Sequence, residues 1–229
     1  MRHLNLAIAV TAIAAAAAVS GAPAKANIVW DLSSQTGDLG PTASYTSGGY
    51  TITATGWLAS TSVCSSPTYC FPVTSTDLYG KAEGGDESGL GIASDPSGEH
   101  EIYYPTEIQI DVSQPYAAGL RTYQFEMGSS TQGEAWSVIG SNTPISDGLP
   151  GTLLYNMNTD ELTPHDLSGY KYYWFLYTGP LEGVGGSNVL LYKEFAAIPE
   201  PATWGLMGLG FAALAFAGYR RANARALAA

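Results

Sequence analysis

Short segments in which apolar and polar residues alternate fill the middle of the chain, residues 27–198, and this pattern leaves few choices of fold. The alternation is clear at residues 50–55, 108–112 and 123–127, and Gly, Ser or Pro residues bound these segments. A period of two is typical of strands with one buried face. We therefore expect an all-β domain, an antiparallel β-sandwich of about nine to eleven short strands, with a jelly roll as its topology.

The charge of the middle segment excludes one class of partner. Residues 27–198 carry four basic residues against 19 acidic ones, a net charge of −15. Nucleic-acid binding needs clustered Lys and Arg, so nucleic acid is excluded as a partner. The segment is also rich in Tyr, Trp, Ile and Val. It can therefore bury a core, and we expect one folded domain over residues 27–196.

The first 26 residues have the pattern of an export signal. A basic start at Arg2 precedes 14 uncharged residues, 6–19, and small residues flank Lys25 in Ala24-Lys25-Ala26. This pattern is typical of a signal peptide, and the run is too short to cross about 30 Å of hydrocarbon. We expect cleavage after Ala26; a permanent anchor is the alternative.

Cys64 and Cys70 are the two cysteines of the chain, with five residues between them. The intervening residues favour a turn and exported compartments are oxidising, so we expect a disulfide that fixes a local shape. A metal pair or a catalytic thiol is the alternative, but no CxxC repeat or nearby His accompanies these cysteines.

An uncharged segment of 19 residues, 201–219, lies near the carboxyl end and precedes Arg220 and Arg221. As a helix it reaches about 28 Å, which predicts a transmembrane helix over residues 202–219. The basic cluster should stay cytoplasmic, which places the acidic body outside the inner membrane before any processing.

The tail, residues 197–229, carries two short motifs. It reads Ile-Pro-Glu-Pro-Ala-Thr-Trp from residue 198 and Gly-Tyr-Arg-Arg from residue 218. In both motifs it resembles the PEP-CTERM sorting tail of Gram-negative bacteria. The resemblance implies that exosortase recognises Pro199, Glu200 and Pro201, with Arg220 and Arg221 completing the motif, and that the tail is removed. It also implies an association with exopolysaccharide, as partner and as matrix. Some ice-binding proteins carry such a tail, so the tail is an address and not an activity.

An acidic, Gly-rich segment in the body is a candidate metal site. Its carboxylates are Asp86, Glu87, Asp95 and Glu101. Calcium takes six to eight oxygen ligands from carboxylates and carbonyls, and a flexible acidic loop can supply them. The segment is not an EF-hand, and we favour a structural role in which Asp86 or Glu101 binds backbone amides. No other cofactor is indicated.

Trp136 and Tyr123 form a candidate glycan platform, because an aromatic face attracts the C–H surface of a sugar. The alternative is that both rings belong to the core. No catalytic residue is predicted, because the sequence has no Gly-x-Ser-x-Gly, His-Glu-x-x-His or phosphate-loop motif. A pair of carboxyls for glycoside hydrolysis stays open, since only the fold decides their spacing.

The sequence therefore predicts an exported, non-enzymatic protein of the cell surface or exopolysaccharide matrix, sorted through its tail from an inner-membrane precursor. A carbohydrate- or calcium-binding module is the alternative, and a secreted glycoside-active enzyme is a third possibility.

Overall fold

A computed structural model of the protein describes residues 28–59, 72–95, 98–129, 134–144, 151–158, 162–179, 188–197, 208 and 210–216. The chain divides into a body, Asn27–Ile198, and a second unit made of Met1–Ala26 and Pro199–Ala229. Residues 208 and 210–216 of the second unit are helical. Among the described residues, no helix combines the length and the apolar character that a membrane crossing requires. Most of the predicted transmembrane helix, 202–219, lies outside the described residues.

The described body is built from strands with one short helix. The fourteen strands are β1 (Ile28–Asp31), β2 (Gly37–Gly40), β3 (Thr42–Ser47), β4 (Tyr50–Ala59), β5 (Pro72–Thr76), β6 (Leu78–Ala82), β7 (Ser88–Ile92), β8 (Thr106–Asp111), β9 (Thr122–Gly128), β10 (Ala135–Ser141), β11 (Thr152–Asn158), β12 (His165–Ser168), β13 (Tyr172–Tyr177) and β14 (Leu190–Ala197). The helix α1 (Ser113–Ala117) follows β8.

The strands form two antiparallel sheets of seven strands each. Sheet 1 has the order β12-β9-β14-β7-β6-β2, and β1 also pairs with β14. Sheet 2 has the order β11-β10-β13-β8-β4-β3, and β5 also pairs with β4. This architecture confirms the prediction of an all-β fold with antiparallel sheets.

The last strand of the body, β14, lies inside sheet 1. It pairs with β9 on one side, and on the other side with β7 near Leu191 and with β1 from Glu194 to Ala197. The first and last strands of the body are therefore hydrogen-bonded neighbours.

The core lies between the two sheets and contains side chains from both. Phe125 of β9 meets Phe175 of β13 with ring centroids 5.0 Å apart, and Tyr123 of β9 meets Tyr173 of β13 at 6.0 Å. All four side chains are buried. The two sheets therefore face each other across the core, because the alternating residues of their strands point their apolar side inward.

The alternating segments of the sequence became strands with the predicted faces. In β9 every second residue from Tyr123 to Met127 is buried, and β13 is buried on both sides between β10 and β8, as its apolar run predicts. Residues 101–104 form no strand, and Ile102 forms an isolated bridge to Val189.

Candidate functional site

The acidic, Gly-rich segment forms the hairpin turn between β6 and β7 together with the loop that follows β7. The Glu87 amide donates to the Gly84 carbonyl at 3.1 Å, and the Gly84 amide donates to the Ser88 hydroxyl at 2.9 Å. Gly89 and Gly91 lie in β7, and a Cβ atom there would collide with the carbonyl oxygens of Leu191 and His100 respectively. These two glycines are therefore needed for close backbone packing around the strand.

Lys81 of β6 lies at the centre of this region, and its side chain is only 3% exposed. Its ammonium donates to Glu101 Oε1 at 2.7 Å and to Glu87 Oε2, while Glu83 Oε2 lies 4.0 Å away. A buried ammonium is costly unless carboxylates surround it, so this ion pair orders the turn and the loop against β6.

The charged groups around Lys81 shift one another's pKa values. Burial acts to lower the pKa of Lys81, but its hydrogen bonds to Glu101 and Glu87 outweigh burial and raise it. Burial acts to raise the pKa of Glu87, but hydrogen bonds from Lys81 and Ser129 lower it below its usual value. Burial raises the pKa of Glu101 despite its contact with Lys81. Lys81 and Glu87 therefore form the charged pair, and Glu101 is the member of the cluster most easily protonated.

Asp95 extends the cluster toward the start of β14. Its carboxylate accepts the Glu101 amide at 3.2 Å and the Asn188 side-chain amide at 3.5 Å. The Asn188 backbone amide in turn donates to Glu134 Oε1 at 3.4 Å. Three buried side chains thus connect the loop after β7 to the segments that precede β10 and β14.

The calcium site predicted at Asp86, Glu87, Asp95 and Glu101 stays a prediction. The described residues contain no group of three or more His, Cys, Asp or Glu that could hold a metal. In the structure the Lys81 ammonium donates to Glu87 and Glu101, and the Asp95 carboxylate accepts from amide donors. Lys81, which sequence reasoning missed, therefore holds the turn and the loop of this region together.

Trp136 and Tyr123, the predicted glycan platform, lie on different sheets and are fully buried in the core. Trp136 packs edge-on against Phe125 at 5.8 Å, and Tyr123 packs against Phe195 at 5.7 Å. Neither ring therefore has a free face for a sugar, and both follow the alternative of core packing.

The outer face of sheet 2 carries a second group of polar and aromatic side chains. Because Ile108 and Ile110 of β8 belong to the core, Glu107 and Gln109 point away from it. Trp57 of β4 is the cross-strand neighbour of Glu107, and Trp174 of β13 is the neighbour of Gln109. We refer to these four residues, Trp57, Glu107, Gln109 and Trp174, as the tryptophan patch.

The two tryptophan rings lean toward each other over β8. β4 and β13 flank β8, so their backbones are about 9.5 Å apart. The ring centroids are nevertheless only 6.2 Å apart, with an interplanar angle of 26°. The rings therefore cover the β8 side chains between them, and Glu107 and Gln109 are each only 6% exposed.

Several polar groups of the tryptophan patch lack partners. Within the described residues, the indole nitrogens of Trp57 and Trp174 and the Oε1 atom of Gln109 are buried without a hydrogen bond. Each such group costs about 1–3 kcal/mol. Burial alone raises the pKa of Glu107 to about 8. Tyr45 Oη and Trp136 Nε1 are also buried without a partner elsewhere in the described body. Native structures contain few such groups, so three of them in one patch require an explanation.

The sequence contained only part of the signal for this patch. The alternation in β4 and β8 places Trp57, Glu107 and Gln109 on outward faces. Their assembly depends on the order β4-β8-β13, which joins residues more than a hundred positions apart. Only the sheet order reveals it.

The comparisons with known proteins concern the tail. A family model of the PEP-CTERM protein-sorting motif matches residues 197–221. No curated protein and no solved structure matches the chain. The matched range contains Pro199, Glu200, Pro201, Arg220 and Arg221, which lie outside the described residues, as do Cys64 and Cys70 with their predicted disulfide.

The fold and the motif together define an exported, all-β protein that carries a sorting tail. The chain carries the PEP-CTERM protein-sorting motif over residues 197–221. Its motif is the recognition signal for processing by exosortase, and it implies a membrane-anchored precursor in a Gram-negative bacterium.

Proposed function

We propose that the mature body is a non-enzymatic protein of the cell surface or the exopolysaccharide matrix. The observation that carries the proposal is the sorting motif at residues 197–221, which gives the chain an address outside the inner membrane. The non-enzymatic part rests on the sequence, which has no nucleophile, metalloprotease or phosphate-loop motif.

The outer face of sheet 2 supports a surface role. Neighbouring strands β3 and β4 present paired hydroxyls there, with Ser44 and Thr53 3.3 Å apart and Thr46 and Thr51 2.9 Å apart. These pairs are exposed, and hydroxyls can exchange hydrogen bonds with water or with hydroxylated polymers. We include the predicted jelly roll in the proposal, because β7 to β10 alternate between the two sheets.

The sorting part is tested by changing Pro199 and Pro201 to Ala in the full chain and following the body by cell fractionation. Two prolines remove amide donors and favour an extended segment that a processing enzyme can bind. We expect the variant to stay at full length in the membrane fraction, while the unchanged protein appears as a shortened chain outside it.

The matched control replaces Pro41 and Pro164, two exposed prolines of the body, by Ala. This control should be processed normally. Normal processing of the Pro199/Pro201 variant would contradict the sorting proposal, as would normal processing in cells that lack exosortase.

A further inference from the structure

The tryptophan patch has the composition of a binding site with no ligand assigned to it. Its buried polar groups comprise two indole N–H donors and the Gln109 Oε1 acceptor, with the Glu107 carboxyl beside them. The Glu107 and Gln109 side chains lie beside the two indole rings on the outer face of sheet 2 and do not belong to the main core. A ligand for this patch must accept from the indoles, donate to the amide oxygen, and offer an apolar face to the rings.

A sugar ring meets these three requirements together. Each hydroxyl group both donates and accepts a hydrogen bond, and the C–H face of a pyranose packs on an indole ring. An inorganic anion would leave Gln109 Oε1 unsatisfied, and a simple cation would leave the indole N–H groups unsatisfied.

The net charge of the body favours a neutral sugar over an acidic sugar as the ligand. Residues 27–198 carry a net charge of −15. A uronic acid brought to this surface would meet like charges, which oppose association.

We propose that the tryptophan patch binds a neutral pyranose unit of a polysaccharide. The proposal deepens the matrix role and rests on it for the source of the sugar. Gln109 accepts a ligand hydroxyl, the two indoles donate to ligand oxygens, and the ring faces hold the sugar.

The distance between the two indole rings indicates which movement is needed for a sugar to bind between them. Carbon atoms in contact lie about 3.5–4.0 Å apart, so a sugar held between two indoles needs about 7–8 Å between them. The centroids of Trp57 and Trp174 are 6.2 Å apart in the closed arrangement described here. Trp57 is half-buried whereas Trp174 is buried, so the proposal requires Trp57 to shift outward by about 1–2 Å when the sugar binds.

The decisive variant is Gln109→Met, which removes the amide oxygen and keeps the length of the side chain. Because this oxygen has no partner in the unliganded protein, its loss should raise the melting temperature. The same loss should weaken sugar binding about tenfold. A purely structural Gln109 would not combine greater stability with weaker binding.

The measurement is isothermal titration calorimetry on the full chain in a detergent whose headgroup is not a sugar. The probes are neutral hexasaccharides of glucose, mannose and galactose, with hexagalacturonate as the charged counterpart of the galactose oligomer. We expect saturable binding of at least one neutral probe, no binding of hexagalacturonate, and a shift in tryptophan emission on binding.

The matched control is Gln124→Met, because Gln124 of sheet 1 already donates to Asp166 at 3.2 Å. This control should bind the neutral probe as the unchanged protein does. A second variant, Trp57→Phe, removes one indole donor and should also weaken binding.

Three results would overturn the proposal. They are the absence of binding of every neutral probe up to about 10 mM, tighter binding of hexagalacturonate, or unchanged affinity in Gln109→Met. None of them would affect the cell fractionation described above, so failure of the binding site is distinguishable from failure of the sorting role.

Discussion

Replacing Glu107 by Gln should remove a large pH-dependent part of the protein's stability. The Glu107 side chain is 6% exposed, and burial raises its pKa from the ordinary 4.5 to about 8. Gln has nearly the same shape and does not titrate. The perturbation therefore isolates the ionisation of one carboxyl in the tryptophan patch.

The sign follows from proton linkage. Between pH 4.5 and about 8 the folded protein keeps the Glu107 proton, whereas the unfolded chain releases it. The contribution of this group is therefore fully present below about pH 4.5, falls by about 1.4 kcal/mol for each pH unit, and is constant above about pH 8. Over the whole window the loss is about 5 kcal/mol.

The assay is urea unfolding, followed by tryptophan fluorescence, at intervals from about pH 4 to pH 9. We expect the free energy of unfolding of Glu107→Gln, minus that of the unchanged protein, to rise by about 5 kcal/mol across this range. Other titrating groups such as Glu101 are present in both proteins, so their effects cancel in the difference. Thr42→Ala, an exposed substitution that changes no titrating group, should give a flat difference.

Parallel pH profiles for Glu107→Gln and the unchanged protein would refute this reasoning. They would mean that water or a partner reaches the carboxyl in the folded state. The argument that Trp57 and Trp174 close over β8 would then fail as well.

Two further changes test the cluster around Lys81. Lys81→Met should lower the free energy of unfolding by about 3–5 kcal/mol, because Glu87 and Glu101 lose their counter-charge. Lys171→Met, at a half-buried position, should change it far less. Equal effects of the two substitutions in urea titrations would contradict the ion-pair argument. Gly91→Ala should destabilise by about 1–3 kcal/mol, measured in the same way, because its Cβ would collide with the His100 carbonyl. A Gly91→Ala protein as stable as Thr42→Ala, an exposed substitution, would show that the loop moves aside at no cost.

The fold was predictable where the residue pattern itself carries the information. In β4, β8 and β9 the core-facing residues alternate with the outward-facing residues, so the sequence identifies both the strand and its inner face. β7 has no such signal, because Ser88–Ile92 is Gly-rich and every residue in it is buried. Its strand conformation depends on pairing with β6 across the hairpin turn and with β14, which is distant in the sequence.

The candidate sites were less predictable for a related reason. The carboxylates of the acidic loop are visible in the sequence, but the countercharge at Lys81 lies 20 residues from Glu101. Whether an acidic loop binds a metal or a lysine depends on which strand faces it. Trp136 was visible as an aromatic residue, but its strand turns it into the core, while Trp57 and Trp174 face outward.

The position of β14 has a consequence for the order of events in folding. Within the described residues, sheet 1 joins β9 to β7 and β1 through β14, which is the last described strand of the body in chain order. Until residues 190–197 have been synthesised, β9 and β7 have no strand between them and sheet 1 cannot be completed. Folding of the body therefore finishes only when the residues next to the sorting motif are present.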